Sequence, residues 1–243
     1  MDTGLKQKHV LVTGASGGIG AATVRVLSAE GARVFAAGRN ESLLAELRAE
    51  TGCEALPFDV TSESAVRDAL ADLTLYGVVN CAGWGGEIAT PMETDTAVFD
   101  KVIDINARGT LLVTKYAAQN MVEAGDGGAI VNVSSQASLV GLAGHISYAS
   151  SKGAVDAMTR VSALELGKHG IRVNAVNPTV VMTPMSEWYW GRDDIGGPFL
   201  ETMPLHKWAT EDDCAKPIVF LLSDAARMIS GVCLPIDGGF TAV

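Results

Sequence analysis

Residues 9–20 read HVLVTGASGGIG, and this segment is the basis for the fold prediction. Residues 9–13 form an apolar run of strand length, and the apolar positions of residues 20–30 recur at helical spacing. A glycine-rich turn between a strand and a helix lets the backbone approach a pyrophosphate closely, with helix N–H groups pointing at it. An ordinary glycine-rich loop is the alternative. On the first interpretation a dinucleotide is bound through Gly14, Ser16, Gly18, Ile19 and Gly20.

Short apolar strands alternate with longer helical patterns along the rest of the chain. Strands are predicted over 9–13, 33–37, 53–58, 76–80, 129–134, 171–177 and 232–236. Helices are predicted over 20–30, 41–50, 63–73, 98–124 in two pieces, 147–169 and 211–223. The alternation predicts an α/β protein, residues 1–243 forming a single domain with a doubly wound (Rossmann) fold and a seven-stranded parallel sheet covered by helices on both faces. Its ligand site is expected at the carboxyl ends of the strands.

Composition narrows the class of protein. Of the 243 residues, 48% are apolar and 19% charged, as in a well-filled core, and the formal net charge of −10 argues against a nucleic-acid partner. The four cysteines show no CxxC spacing, so neither a disulfide framework nor a metal site is predicted. Because no run has the pattern of a signal peptide or the length of a membrane span, we expect a soluble, cytoplasmic protein without a membrane partner.

The end of the second predicted strand indicates which dinucleotide would bind. In this fold an acidic residue here binds the ribose 2′-hydroxyl of NAD, whereas an arginine accommodates the 2′-phosphate of NADP. Arg39 and Asn40 stand at this strand end, and no acid does. We therefore predict NADP (NADPH), with NAD as the alternative cofactor and a solvated surface arginine as the alternative interpretation of Arg39.

Two further strand ends carry residues suited to the same ligand. Asp59 follows the third strand and could accept a hydrogen bond from the adenine amino group, or it could cap the next helix. The fourth strand ends in small residues at Asn80, Ala82 and Gly83, which would let a ring or a ribose lie against the backbone.

A tyrosine and a lysine at helical spacing are the candidate catalytic pair. Tyr148 and Lys152 are four residues apart and therefore share one face of the predicted helix. A free tyrosine titrates near ~10, and a neighbouring ammonium would lower that pKa toward the range useful for proton transfer. Ser135 ends the fifth strand, where its hydroxyl could bind the reacting oxygen or cap a turn. Asn106 is an amide in an apolar helix and needs partners, in a structural or a relay role.

Taken together, these segments resemble the short-chain dehydrogenase/reductase family over nearly the whole chain. The matching pieces are TGASGGIG at 13–20, DV at 59–60, NCAG at 80–83, Asn106, VNVSS at 131–135, YASSK at 148–152, RVNAVNP at 172–178 and DGG at 237–239. The resemblance implies that Tyr148 is the general acid/base and that Lys152 lowers its pKa and binds the nicotinamide ribose. It also implies that Ser135 positions a carbonyl and that Asn106 supports a water-linked proton relay.

The resemblance further implies the remaining cofactor contacts. Asp59 and Val60 would contact the adenine, and Asn80, Ala82 and Gly83 would border the cofactor. Pro178, Val181 and Thr183 would lie near the nicotinamide carboxamide. The chain departs from the family pattern in three places: NCAG replaces NNAG, Thr179 replaces the glycine after Pro178, and Gly17 stands where many NADP-preferring members carry a basic residue.

Within the family the chain resembles the dicarbonyl/L-xylulose reductases. The evidence is VNVSSQAS at 131–138, His145 three residues before Tyr148, NPTVVMTPM at 177–185 and LPIDGGF at 234–240. His145 could bind a substrate hydroxyl or second carbonyl, or simply be a polar residue at a helix start. Residues around 183–210 are expected to form a substrate lid, in which Trp188 and Trp190 could line the pocket or pack against a neighbouring subunit.

Three functions are compatible with the sequence. The first is NADP-dependent reduction of a small carbonyl, an α-dicarbonyl or a ketose such as L-xylulose, to the alcohol, with Tyr148 as the proton donor. The second is an NAD(P)-dependent polyol or secondary-alcohol dehydrogenase that works in the oxidative direction, because the site is chemically reversible. The third is a non-catalytic dinucleotide-binding scaffold, which intact Ser135, Tyr148, Lys152 and Asn106 argue against. The resemblance implies a homotetramer.

Overall fold

In a computed structural model that describes residues 3–242, strand β1 (His9–Thr13) lies inside a parallel sheet. The other strands are β2 (Arg33–Gly38), β3 (Glu54–Pro57), β4 (Gly77–Asn80), β5 (Gly128–Val133), β6 (Ile171–Pro178) and β7 (Cys233–Ile236). Their order among the described residues is β3-β2-β1-β4-β5-β6-β7, and every neighbouring pair is parallel. The order reverses between β1 and β4, which opens a crevice at the carboxyl ends of the strands. The predicted fold class is confirmed.

Helices cover both faces of this sheet. They are α1 (Gly18–Ala29), α2 (Glu41–Thr51), α3 (Glu63–Leu70), α4 (Thr96–Ile103), α5 (Gly109–Ala124), α6 (Ile146–Leu166), α7 (Glu187–Trp190), α8 (Asp193–Glu201) and α9 (Glu211–Leu222). The short helices α7 and α8 were not predicted, because a four-residue helix and a helix with two glycines and Pro198 carry little hydrophobic periodicity. No helix in the described residues is both long and apolar enough to cross a membrane.

Alternation along β1 shows how the sheet builds two hydrophobic layers. Val10 and Val12 pack with residues of α1, α2 and α9, whereas Leu11 packs with residues of α3 and α5 on the opposite face. All three side chains are fully buried. Burial on both faces explains why β1 reads as a continuous apolar run rather than as alternating apolar and polar residues.

A π-helical segment joins α4 to α5. The helix predicted over 98–124 in two pieces is a single continuous helix over 96–124, in which Asp104–Arg108 has π geometry. Such segments insert a residue into a helix and redirect a side chain, and they recur at functional sites. The segment contains Asn106, whose side chain binds the backbone of Trp84, in the segment after β4.

Candidate active site

A cleft of about 440 Å³ opens at the carboxyl ends of the strands, where the fold predicts a ligand. It lies between the turn after β1, the segment after β4, the end of β5, the start of α6 and the segment after β6. The predicted site residues that line it are Ser16, Gly18, Ile19, Gly83, Ser135, His145, Tyr148, Lys152, Pro178, Val181, Thr183, Trp188 and Trp190.

The glycine turn at one end of the cleft has the geometry that a pyrophosphate requires. Gly14 has a φ of +65°, and a Cβ there would lie 2.8 Å from the Ala82 Cα; a Cβ on Gly20 would collide with the Gly14 carbonyl oxygen. The turn therefore packs directly on the end of β4 and on the first turn of α1. Within residues 3–242 no side chain caps α1 after Gly17, so its first N–H groups are left for an anion. The residues present fit a dinucleotide.

Tyr148, Lys152 and Ser135 meet at the middle of the cleft. The Lys152 ammonium donates to the Val133 carbonyl oxygen at 2.7 Å and lies 5.6 Å from the centre of the Tyr148 ring. Ser135 has extended backbone at the end of β5, and its Oγ accepts from the Ala137 N–H at 3.1 Å. Because that bond uses a lone pair, the serine hydroxyl proton is left for a ligand or for Tyr148.

Burial sets the pKa values of this group. It raises the pKa of Tyr148 to about 12, against a smaller lowering effect of the hydrogen bond with Ser135. It lowers the pKa of Lys152 to about 8, although the charges of Cys81 and Asp156 act in the opposite direction. The sequence predicted a lowered pKa for Tyr148, and that prediction is wrong. Removal of the phenol from water raises the pKa, and this effect outweighs the hydrogen bond with Ser135.

Asn106 holds the segment after β4 in place. Its Oδ1 accepts from the Trp84 N–H at 2.8 Å, and its Nδ2 donates to the Trp84 carbonyl oxygen and to the Ser151 hydroxyl, both at 2.9 Å. A Cβ on Gly83 would lie 3.4 Å from Asn106 Oδ1 and 3.5 Å from Lys152 Nζ. Asn106 is thus a buried clamp that fixes a cleft wall beside Lys152.

Arg39 and Asp59 lie together beyond the glycine turn. The Arg39 side chain is 72% exposed, and its Nη1 is 3.8 Å from Asp59 Oδ2. Burial acts to raise the pKa of Asp59, but hydrogen bonds from Thr61 and the Arg39 charge outweigh it and lower that pKa. Asn40 accepts from the Leu43 N–H at 3.1 Å and so caps α2. With Glu41, Arg39 and Asn40 form a shallow surface depression.

Two predicted cofactor contacts are used inside the fold. The Asn80 amide donates to Thr114 Oγ1 at 3.0 Å and to Asn132 Oδ1 at 2.8 Å, and its side chain is buried. The side chain ties β4 to β5 and α5 and does not line the cleft. Val60 packs against Gly109, where a Cβ would lie 2.8 Å from Val60 Cγ2.

His145 and three aromatic residues form the far end of the cleft. The His145 ring stacks on Trp190 with centroids 5.7 Å apart and planes 19° apart, and it meets Tyr189 edge-on. Its Nδ1 lies 2.7 Å from the Ala143 carbonyl oxygen, and burial lowers its pKa. Since a carbonyl only accepts, Nδ1 carries the proton and Nε2 is a hydrogen-bond acceptor. Trp188 is 61% exposed at the mouth.

The lining residues that the sequence did not single out include Trp84, Ile88, Gln136 and Leu142. Gln136 is buried, and within the described residues its Oε1 has no hydrogen-bond partner. Its position directly after Ser135 could have indicated that Gln136 lies at the cleft. Trp84 follows the small residues at the end of the fourth strand, but the sequence does not show the hydrogen bonds with Asn106 that hold it in the cleft lining.

Residues 3–242 hold no cluster of three or more potential metal ligands.

The fold and the glycine turn at the cleft are those of a dinucleotide-binding protein of the doubly wound class. The family model adh_short_C2, described as "Enoyl-(Acyl carrier protein) reductase", matches residues 14–241. The chain belongs to the short-chain dehydrogenase/reductase family, whose members bind nicotinamide dinucleotides and act on small molecules.

Individual relatives match from end to end. The L-xylulose reductase of Mesocricetus auratus is 42% identical over 241 residues, 99% of each chain. A short-chain type dehydrogenase/reductase from Mycobacterium ulcerans superposes with a TM-score of 0.94 at 31% identity, over 98% of this chain and 91% of that one. A putative NAD(P)-dependent gluconate 5-dehydrogenase from Beutenbergia cavernae with bound NADP has a TM-score of 0.92 at 30% identity, over 98% of each chain.

Proposed function

We propose that this oxidoreductase uses NADPH to reduce a small carbonyl compound, an α-dicarbonyl or a ketose such as L-xylulose, to the corresponding alcohol. The observation that carries the proposal is the meeting of Ser135, Tyr148 and Lys152 in one cleft beside a dinucleotide turn. The likeness to L-xylulose reductase over the whole chain supports the substrate class.

In this mechanism the protein's groups handle the proton and orient the carbonyl. NADPH, when bound, supplies a hydride to the carbonyl carbon. The Ser135 hydroxyl donates a hydrogen bond to the carbonyl oxygen, which increases in strength as negative charge develops there. Tyr148 gives its phenolic proton to that oxygen, and its raised pKa keeps the proton on the phenol at neutral pH.

Lys152 has two tasks in the same mechanism. One of its three N–H donors binds the Val133 carbonyl oxygen, which leaves two for the cofactor ribose and for the Tyr148 oxygen. Its positive charge stabilises the phenolate that Tyr148 becomes when it loses its proton. Gly83 keeps the space beside this ammonium open, as the Cβ distance of 3.5 Å to Nζ indicates.

NADP rather than NAD is proposed because of the exposed guanidinium at the end of β2. Arg39 is held loosely by Asp59 at 3.8 Å and can turn toward a 2′-phosphate without breaking a tight ion pair. The relative with bound NADP, itself described as NAD(P)-dependent, supports only that the fold accommodates this cofactor. Thr183 lies beside Gly18, where a Cβ would be 3.1 Å from Thr183 Cγ2, and so closes over the turn that holds the pyrophosphate.

The substrate end of the cleft favours a hydroxylated carbonyl compound. The unprotonated Nε2 of His145 accepts a hydrogen bond from a hydroxyl, whereas the second carbonyl of an α-dicarbonyl offers no donor. Trp190 and Trp188 provide flat apolar surfaces on which the C–H face of a sugar can pack. A ketose fits these contacts better than a dicarbonyl does.

We further propose a cytoplasmic homotetramer. Leu111 on α5 and Val161 and Leu164 on α6 are exposed, Leu164 to 82%, which is typical of surfaces covered by another subunit. The four cysteines are unpaired within the described chain, in keeping with a reducing compartment. Sedimentation velocity tests the assembly: a single species of four times the chain mass is expected, and a monomer would contradict it.

A screen of substrates tests the catalytic proposal. Oxidation of NADPH and of NADH is followed with L-xylulose, other ketoses, diacetyl and aromatic ketones, with Tyr148→Phe as the blank. The proposal expects turnover of a ketose or a dicarbonyl with NADPH and none with the blank. Turnover confined to the reverse direction, from a polyol with NAD, would contradict it.

A further inference from the structure

A buried carboxylate lies on the catalytic helix behind the proposed active site. Asp156 follows Lys152 by one turn of α6 and Tyr148 by two, and it is 3% exposed. Its Oδ2 accepts from the Ser138 hydroxyl at 2.5 Å and from the Asn177 amide at 2.9 Å. Within residues 3–242 its Oδ1 has no hydrogen-bond partner.

Both donors that Asp156 binds also contact the backbone of Ser135. The Asn177 amide lies 3.1 Å from the Ser135 carbonyl oxygen, and the Ser138 hydroxyl lies 2.6 Å from it. Asn177 Nδ2 is also 2.8 Å from Ser138 Oγ, so the amide, the hydroxyl and the carboxylate form one closed cluster. A carboxylate can only accept, so it determines which way the hydroxyl and the amide point.

The cluster joins three elements at the point where Ser135 leaves the sheet. Ser135 begins a single 3-10 turn, Gln136–Ser138, whose last residue is the Asp156 partner. Asn177 belongs to β6, directly before Pro178, which lines the cleft. The carboxylate on α6 therefore sets the distance from the catalytic helix to the ends of β5 and β6.

A buried carboxylate is energetically unfavourable at a purely structural position. A buried charged oxygen without a partner destabilises the folded state, and an apolar side chain of similar size would remove that cost. Here the retained carboxylate provides an acceptor for two oriented donors at once. We propose that Asp156 is a positioning residue that holds the Ser135 hydroxyl at the reacting oxygen through Ser138 and Asn177. This rests on the proposed function, in which Ser135 binds the substrate carbonyl.

A double-mutant cycle between Asp156 and Ser135 tests the inference. kcat for carbonyl reduction is measured on the best ketose or dicarbonyl of the screen for the wild type, Asp156→Ala, Ser135→Ala and the double variant. The pH is held at about 6, well below the pKa of Lys152 of about 8, because the Asp156 charge acts to raise that pKa. Asp156→Ala is expected to lower kcat about ten- to a hundredfold, as a displaced catalytic group does. In the Ser135→Ala background the same change is expected to lower kcat less than about twofold, because the group it positions is gone.

Three controls separate positioning from a general structural role. Asp156→Asn keeps an acceptor oxygen for both donors and is expected to stay within about threefold of the wild type. The Kd for NADPH, measured by fluorescence, is expected to be unchanged in every variant. Ser138→Ala removes one link of the cluster and is expected to repeat the non-additive loss, which keeps the test decisive if Asp156→Ala does not fold.

The outcomes distinguish this inference from the proposed function. An equal loss from Asp156→Ala, or from Ser138→Ala, in both backgrounds overturns the positioning role, as does an unchanged kcat in a protein whose Ser135→Ala variant is impaired. Wild-type turnover by Ser135→Ala itself overturns the proposed role of Ser135, and the inference with it.

Discussion

The ammonium of Lys152 lies 5.6 Å from the centre of the Tyr148 ring and is fixed by a 2.7 Å hydrogen bond to the Val133 carbonyl oxygen. The lysine is therefore anchored to the end of β5 and not to the tyrosine itself. A charge held in this way can stabilise a phenolate as it forms, while the resting phenol keeps its proton.

Carbonyl reduction is expected to depend on pH in the alkaline range. Burial lowers the pKa of Lys152 to about 8, so the side chain is an ammonium below that pH and a neutral amine above it. Because the ammonium stabilises the developing Tyr148 phenolate, kcat/KM for carbonyl reduction is expected to fall as the pH rises through about 8. Rates measured from about pH 6 to about pH 10 check this, and a profile that stays level or climbs across the alkaline half would contradict it.

Arg39→Ala is expected to weaken the binding of NADPH without affecting the binding of NADH. Loss of the guanidinium removes a charge-assisted contact to the 2′-phosphate, and we expect the KM for NADPH to rise about tenfold or more. The matched control is Arg33→Ala, at the opposite end of the same strand, where the arginine binds Gln7 at 3.0 Å. Equal effects on both cofactors, or a similar effect in the control, would remove the argument for NADP.

His145→Leu should discriminate between the two substrate classes. It deletes the Nε2 acceptor but keeps an apolar side chain beside Trp190. The KM for a ketose is expected to rise about tenfold, in line with the loss of one buried hydrogen bond, whereas the KM for diacetyl should change little. His145→Gln restores a polar group as a control. If both substrates lose affinity together, the histidine shapes the pocket and does not recognise a hydroxyl.

Asn106→Leu is predicted to reduce stability as well as activity. It leaves the Trp84 N–H and carbonyl unpaired in a partly buried segment, and each such loss destabilises by about 1–3 kcal/mol. The melting temperature and the urea midpoint should both fall, and kcat should fall because Trp84 and Gly83 border the cleft. A variant as stable as the wild type would show that the clamp has a replacement.

The strands and long helices could be predicted from the sequence because buried parallel strands are continuous apolar runs. Residues 9–13 were predicted with the bounds that the structure has. The short helices α7 and α8 could not be predicted, since glycine and Pro198 within residues 193–201 hide the periodicity.

The sequence also could not predict which way the side chains point or how deeply they are buried. Tyr148 and Lys152 were recognised by their spacing, but the direction of the Tyr148 pKa shift depends on desolvation, which requires the folded protein. Asn80 looked like a cofactor contact because it ends a strand, yet its amide turns inward to Thr114 and Asn132. Asp156 drew no attention because its partners, Ser138 and Asn177, are distant in sequence.

In the proposed mechanism Tyr148 donates the proton that completes carbonyl reduction. The most direct test of this role is NADPH oxidation by Tyr148→Phe, with the Kd for NADPH measured by fluorescence on the same preparation. A loss of about a hundredfold or more in kcat is expected, as for removal of a general acid, with the Kd within about twofold of the wild type. Turnover at the wild-type rate by a variant that binds NADPH normally would contradict it.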